Sequence, residues 1–439
     1  MSEELRENEN ISDIQPREQN VSGQDGRKLQ KKRERKRFWQ GFFVGVFGVV
    51  LSAAVIFTVM RFVNRGQMTY SDEAQMGTGK TETKSVVNSL TTAKMAMIER
   101  LIKKNYYLDV DSETLADGVY RGMLESLGDP YSEYYSAEDL KEVRESNEGI
   151  YYGIGAYVSM DNDINMAVIS GIISGTPAEE AGLQEGDVIY KVNGVDATGM
   201  TTSEVVSMIR GEEGTKVILT LIRDGSVIEQ TVERRKVESP TVHYEMYEDN
   251  IGYIQITEFD DVTTDQFTEA MAVLKGQGMN ALILDLRSNG GGNLYTCIDV
   301  ASHLLPKGLV VYTEDKYGNK EEYTCDGTHQ FGKPIVVLVN GYTASASEIL
   351  TGAIKDYGVG TIMGTTTYGK GIVQQIMSLK DGTAVKMTIS KYYTPKGYYI
   401  HEIGIEPDIT VEFDSDAYKK DKTDNQLDAA KEQIKKMMK

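Results

Sequence analysis

The sequence predicts a multidomain α/β protein. It reads as an N-terminal transmembrane helix, a small helical region, a β-rich module carrying two helices, and an α/β core. Three observations carry this. Residues 38–60 hold no charged side chain. Residues 147–236 alternate short β-prone runs with Gly- and Asp-containing turns. From Pro240 onward, apolar strand-length runs alternate with helical spacing, the pattern of an α/β layer.

The chain has 439 residues, enough for two or three domains at roughly 150 each. Its net charge of −19 argues against nucleic acid as a partner, because a phosphate backbone would be repelled. The basic residues cluster. "GRKLQKKRERKR", from Gly26 to Arg37, carries eight Lys or Arg and one Glu. The run that follows, "FWQGFFVGVFGVVLSAAVIFTVM", would span about 34 Å as a helix, enough for a hydrocarbon core of about 30 Å. With the basic flank on its N-terminal side, residues 1–37 are expected in the cytoplasm and everything after Arg61 outside it. The 37-residue leader and the length of the run speak against a cleaved signal.

Residues 61–84 are polar and rich in Gly, Ser and Thr, and read as a flexible stalk. Within them "AQMGTGKT" imitates a phosphate-binding loop, but Ala74 stands at the leading position and no strand precedes it. Residues 85–146 show helical spacing, with "GDPYS" read as the stop of a small helical domain.

In residues 147–236, "GIYYGIGAYVSM" and "INMAVISGII" read as strands around the turn "DND". "TTSEVVSMIRG" reads as a helix, and "KVILTLIRDGSVIEQTVER" as a hairpin turning at Asp224-Gly225. The stretch "TPAEEAGLQEGDVIYKVNG" resembles the most recognisable segment of PDZ domains, and Gly153, Ile154, Gly155 and Ala156 stand where that family binds a peptide carboxylate. The glycines suit that task, because converging N–H groups need backbone approachable without side chains in the way. A peptide would add as a strand after Ile154, facing the Ser203–Arg210 helix.

Residues 237–439 form the expected core, with "NIGYIQI", "ALILDLR", "PIVVLVN" and "GTIMG" as strands. "TTDQFTEAMAVLKGQG", "ASEILTGAIKDYG" and the closing "TDNQLDAAKEQIKKMMK" read as helices. The segment "VNGYTASASEIL" alternates three hydroxyls with small residues at a strand-to-helix turn. Orphan N–H groups and the helix dipole there favour developing negative charge, so a nucleophile at Ser345 would have oxyanion donors close by. A structural reading also fits, since Ser345 to Glu348 spells a capping box. Twenty-five residues on, "GTTTYGKGIVQQ" holds Lys370 between two glycines in charge-poor surroundings. A buried, neutral lysine can serve as a base. Third, "LILDLRSNGGGN" ends a strand in Gly290, Gly291 and Gly292.

Together these motifs resemble, in content, order and spacing, the carboxyl-terminal processing or tail-specific serine proteases, from residue 85 to the C-terminus. The resemblance implies Ser345 as nucleophile, Lys370 as general base and Gln374 as the residue that positions the lysine. It implies Ala346 and Gly291 as the oxyanion-hole amides. Thr343 departs from the family's usual serine and Gly290 from a common proline. His401, in the closing segment that resembles the family's "GxxPD" stretch, is read as structural.

The expectation is thus a membrane-anchored serine endopeptidase acting outside the cytoplasm on proteins or peptides with free C-termini. No cofactor and no metal are implied. A homo-oligomer or an activating partner protein is left open, as is pairing of Cys297 with Cys325. The competing readings are a catalytically inactive PDZ scaffold and an acyl-CoA-handling enzyme on a related fold.

Overall fold

The structure, a computed structural model, describes residues 85–439. The basic tail, the apolar run read as a transmembrane helix and the stalk all lie outside the described residues. Among the described residues no helix is long and apolar enough to cross a membrane. The chain divides into two compact units at Ala96, and apart from the start of the first helix everything considered below lies within the second, Met97–Lys439.

Three helices dominate the start: α1 (Ser89–Asn105), α2 (Ser112–Glu125) and α3 (Ala137–Glu148). Asp111 caps α2, and Ser136 with Asp139 forms a capping box on α3. "GDPYS" is therefore not the stop it resembles, because strand β1 (Glu133–Tyr135) and then α3 follow it directly. The helical pattern of this stretch concealed β1, which is only three residues long and pairs with a strand some 250 residues away.

Next come β2 (Ile150–Gly153), β3 (Ala156–Asp161), β4 (Met166–Ile172), the short helix α4 (Pro177–Glu180) and β5 (Val188–Val192). They are followed by β6 (Val195–Asp196), α5 (Thr202–Ile209), β7 (Lys216–Arg223), β8 (Ser226–Glu233) and β9 (Arg235–Glu238). The sheet runs β3-β4-β5-β7-β8, which leaves β3 at an edge, while β2 pairs with β9. Asp224 and Gly225 both adopt positive φ, as a tight hairpin needs, and Arg223 pairs with Ser226. Ile169, Ile189, Val205, Leu219 and Leu221 pack into this module's own core. Each such buried aliphatic contributes about 1.5–3 kcal/mol.

The core opens with β10 (Val242–Tyr247) and β11 (Ile251–Ile256), then α6 (Thr263–Gly276), β12 (Ala281–Asp285) and α7 (Leu294–Ser302). Strands β13 (Gly308–Asp315), β14 (Lys320–Cys325) and β15 (Ile335–Val339) lead into α8 (Ala346–Tyr357). After it come β16 (Thr361–Gly364), β17 (Ile372–Ser378), β18 (Ala384–Tyr393) and β19 (Ile409–Thr410). Helices α9 (Ser415–Asp421) and α10 (Asn425–Met437) close the chain.

The central sheet has the order β10-β11-β12-β15-β16-β19 and is parallel from β11 onward. Its inner strands are buried on both faces, which is why they read as continuous apolar runs. Leu282, Leu284, Val337 and Val339 pack with α6, α7 and α8 residues, whereas Ile283, Val336 and Leu338 pack against Ala430 and Ile434 of α10. A second sheet, β1-β18-β13-β14 with β17 on β18, brings the N-terminal strand onto the core.

Candidate active site

The loops that leave β12, β15 and β16 meet at the carboxyl ends of the parallel strands, the usual place for a site in an open α/β sheet. The first carries Gly290 to Gly292, the second Ser345, and the third Lys370.

The three hydroxyls of the second loop separate by what they bond. Thr343 Oγ1 donates to the Leu286 carbonyl at 2.8 Å, and Ser347 Oγ donates to the Asn289 carbonyl at 3.1 Å. Both are fully buried and lock the turn to the glycine loop. The Ser345 hydroxyl proton is committed to no acceptor among the described residues, and the residue is half-buried. Its backbone holds φ 55° and ψ −117°, a conformation that is rare and strained for any residue with a Cβ. Tyr392 Oη, fully buried, holds the Ser345 carbonyl at 3.1 Å.

Glu348 does more than cap α8. Its Oε2 accepts Ser345 N–H at 3.0 Å and Lys370 N–H at 2.8 Å. Its Oε1 accepts Gly369 N–H at 2.7 Å and Thr367 Oγ1 at 2.6 Å. One wholly buried carboxylate thus ties the serine turn to the lysine loop. The glycines flanking Lys370 are required by packing. A Cβ on Gly369 would lie 2.8 Å from Gly404 N, and one on Gly371 would lie 2.7 Å from His401 N. The turn at His401 therefore presses on the lysine loop through its backbone, while His401 Nδ1 is buried without a hydrogen-bond partner among the described residues.

The Lys370 ammonium lies 4.5 Å from the centre of the Tyr131 ring and makes no hydrogen bond or ion pair among the described residues. Burial, and then the positive charge of Lys386, hold its pKa below the ordinary lysine value, against the opposing pull of Asp129 and Glu348. Tyr131 Oη stands 3.4 Å from Tyr368 Oη, and its pKa is pushed up to about 12 by that contact and by burial. Gln374 lies on β17 beside a register shift and donates to Thr388 Oγ1 at 3.1 Å, so its amide is turned to the neighbouring strand rather than to Lys370.

On the glycine loop, Gly291 has φ 106°, and a Cβ there would come within 2.8 Å of Ser345 Cβ and 2.9 Å of Ala346 N. Its N–H, however, donates to Asn289 Oδ1 at 2.8 Å. Asn289 is fully buried and donates to the Ile256 carbonyl, so this loop is tied off from below. Ala346 N–H, at the first turn of α8, has no acceptor among the described residues.

Residues 153–156 lie at the edge strand β3. The Ile154 and Gly155 carbonyls turn inward to Ala178 N–H, Ile173 N–H and Thr176 Oγ1, leaving the amides of Ile154 and Gly155 without acceptors among the described residues. A cavity of about 320 Å³ opens beside them, lined by Val206, Ile209 and Arg210 from the α5 segment. Cys297 and Cys325 are separate buried thiols, donating to the carbonyls of Ala346 and Pro306.

Comparison with known proteins matches three segments of the chain to described families. Residues 250–411 match peptidase family S41, residues 168–223 match a PDZ domain, and residues 49–139 match the "Activating protease CtpB N-terminal domain". Over 369 residues the chain is 37% identical to the carboxy-terminal processing protease CtpA of Bacillus subtilis (strain 168), covering 84% of this chain and 77% of that protein. The chain belongs to the S41 carboxyl-terminal processing proteases. A probable CtpA-like serine protease of Staphylococcus aureus (strain COL) is 34% identical over 404 residues, covering 91% of this chain and 78% of that one. The solved photosystem II D1 C-terminal processing protease is 31% identical, covering 72% of this chain and 86% of that one, with a TM-score of 0.44. The protein is therefore a serine-type peptidase with a PDZ domain.

The sequence of this peptidase gave no sign of three residues that shape the site, Tyr131, Asn289 and Tyr392, nor of the second role of Glu348. Glu348 carried a visible signal, but a capping box explained it without any reach to Lys370. Tyr131 sits in "GDPYS", whose Pro and Gly mark a turn yet give no hint of what that turn covers.

Proposed function

We propose that the chain is a membrane-anchored endopeptidase that cleaves extracytoplasmic proteins through an acyl-enzyme on Ser345, with Lys370 as base and the PDZ groove receiving the substrate's C-terminal end. The observation that carries this is the Ser345 turn. A strained, half-buried serine whose proton is uncommitted opens a helix beside the vacant Ala346 N–H, and one carboxylate joins its backbone to that of a lysine whose pKa is lowered by burial.

In this reading neutral Lys370 takes the proton of Ser345 Oγ as Oγ attacks the substrate carbonyl. Ala346 N–H and Gly291 N–H receive the oxyanion, which requires the Gly291 amide to leave Asn289 Oδ1. The lysine then protonates the departing amine, and a water activated by the same nitrogen hydrolyses the ester. Hydrogen bonds of a catalytic group are often incomplete before substrate arrives, so the lysine's seat over Tyr131 fits a resting arrangement. Gln374 steadies the lysine only if its amide leaves Thr388.

The charge-free run of residues 38–60 behind its basic flank supports the anchor and the extracytoplasmic placement. The test is labelling by a fluorophosphonate alongside casein digestion. Lys370→Ala should keep the wild-type melting temperature and lose both signals, and Ser345→Ala should lose both as well. Wild-type turnover in Lys370→Ala would remove the lysine from the mechanism. A wild-type chain that binds peptides but neither labels nor digests would favour a binding protein.

A further inference from the structure

The cavity beside β3 is not closed by the PDZ module alone. Its lining also includes Glu142 and Glu145 of α3 together with Glu258 and Asp260 from the loop before α6. Four carboxyl groups thus face one guanidinium, Arg210, which is partly occupied already. It lies over the Tyr151 ring at 4.9 Å and 3.9 Å from Glu145 Oε2.

Asp260 is the unusual member. It is 7% exposed, yet its carboxylate has no hydrogen-bond donor and no cation among the described residues. Only its backbone is engaged, the N–H by Thr263 Oγ1 and the carbonyl by Thr263 N–H. Burial, then Glu258 and Asp261, push its pKa up to about 7. Its carboxylate oxygens are not sealed inside the protein, so the group opens onto the cavity. No group of three or more ligating side chains among the described residues could hold a metal there.

We infer that this acidic wall selects polypeptide ends that carry a lysine or arginine among their last few residues. The inference rests on the reading that the groove receives a C-terminal end. A carboxylate alone would enter a cleft of its own sign. A chain added along β3 with its terminus at the Ile154 and Gly155 amides turns alternate side chains away from Val206 and Ile209, leaving them free to meet the acidic residues that line the same cavity. A cation on one of those side chains meets Asp260 and Glu258 and offsets the repulsion its own carboxylate feels.

The test uses the full chain with Ser345→Ala and fluorescein-labelled decapeptides that share an apolar end. Lysine, glutamine or glutamate is placed at each of the last four positions, and binding is read by polarisation. At one or two positions the lysine peptide should bind about tenfold tighter than its glutamine counterpart and the glutamate peptide weakest, with the gap shrinking in high salt. Asp260→Asn, which keeps the side chain's shape, should bring lysine and glutamine peptides within about twofold, and Glu258→Gln should do so in part. Equal binding of the lysine and glutamine peptides, or a preference that survives Asp260→Asn, overturns the inference. Amidated peptides test the groove separately. If amidation leaves binding unchanged, or no peptide binds, the terminus-receiving groove fails and the inference with it. If amidation weakens every peptide while lysine gives no advantage, only the inference fails.

Discussion

Ser345 holds its uncommitted hydroxyl at the cost of backbone strain. A residue without a Cβ relaxes at φ 55° and ψ −117°, so Ser345→Gly should be more stable than Ser345→Ala by about 1 kcal/mol in urea denaturation, although neither turns over. Glu348→Gln replaces one acceptor oxygen with a donor facing donors. It should cost about 2–4 kcal/mol and depress fluorophosphonate labelling, because the loop that presents Lys370 is released at the same time. The lysine also sets a pH dependence. Its neutral form is the active one, so kcat/KM should rise with pH, with an inflection below the ordinary lysine range. Lys386 repels the charged form of Lys370, so Lys386→Gln should move that inflection to higher pH. An inflection that stays in place would remove Lys370 as the titrating group.

Among the elements, the C-terminal helix shows what a local sequence can and cannot tell. Its spacing declared α10, but not why it stays docked. Arg287 bridges Asp285 at the end of β12 to Asp424, the cap of α10. Burial alone would lower the Arg287 pKa, and the two carboxylates more than reverse this. Arg287→Ala should cost about 3 kcal/mol by leaving the buried Asp285 carboxylate without its cation, held only by Tyr253 Oη and the backbone N–H of residue 287, and should expose the amides of residues 425–437 to hydrogen exchange. The other legible elements share one cause. Strands β12 and β15 are buried on both faces, β11 and β16 are mostly apolar, and α6 and α8 repeat at helical spacing, so each announces itself within its own residues. Strands β13, β14, β17 and β18 are half-exposed and carry polar side chains among their apolar ones, and although β13 pairs with β14 and β17 with β18 as neighbours in sequence, the pairing of β13 and β1 with β18 joins strands far apart along the chain. Helix α7 begins right after the triple glycine, capped by Asn293, where the glycines read only as loop. The site divides the same way. Ser345, Lys370 and Gly291 stand in compact motifs, whereas the donation of Gly291 N–H to Asn289 depends on a rotamer that no spacing encodes.

For the molecule as a whole, the cleft between the PDZ module and the core carries a cost that acidity relieves. Asp260 holds its proton more tightly folded than unfolded, so ionising it destabilises the fold as pH climbs from about 4 to about 7. Asp260→Asn should therefore raise the melting temperature at pH 8 and lose that advantage near pH 4. Water in the cleft holds the gain to about 1–2 kcal/mol.

Strand β1 adds a last consequence. It covers the edge of β18, and the residues just before it lay Tyr131 under the Lys370 ammonium. A fragment starting at residue 237 would keep the serine, the lysine and the glycine loop. It would also bare a strand edge to other chains and let water reach the amine, returning it toward its ordinary charged state. The family's sequence signature would survive such a cut intact, while the base it encodes would lose the surroundings that make it one.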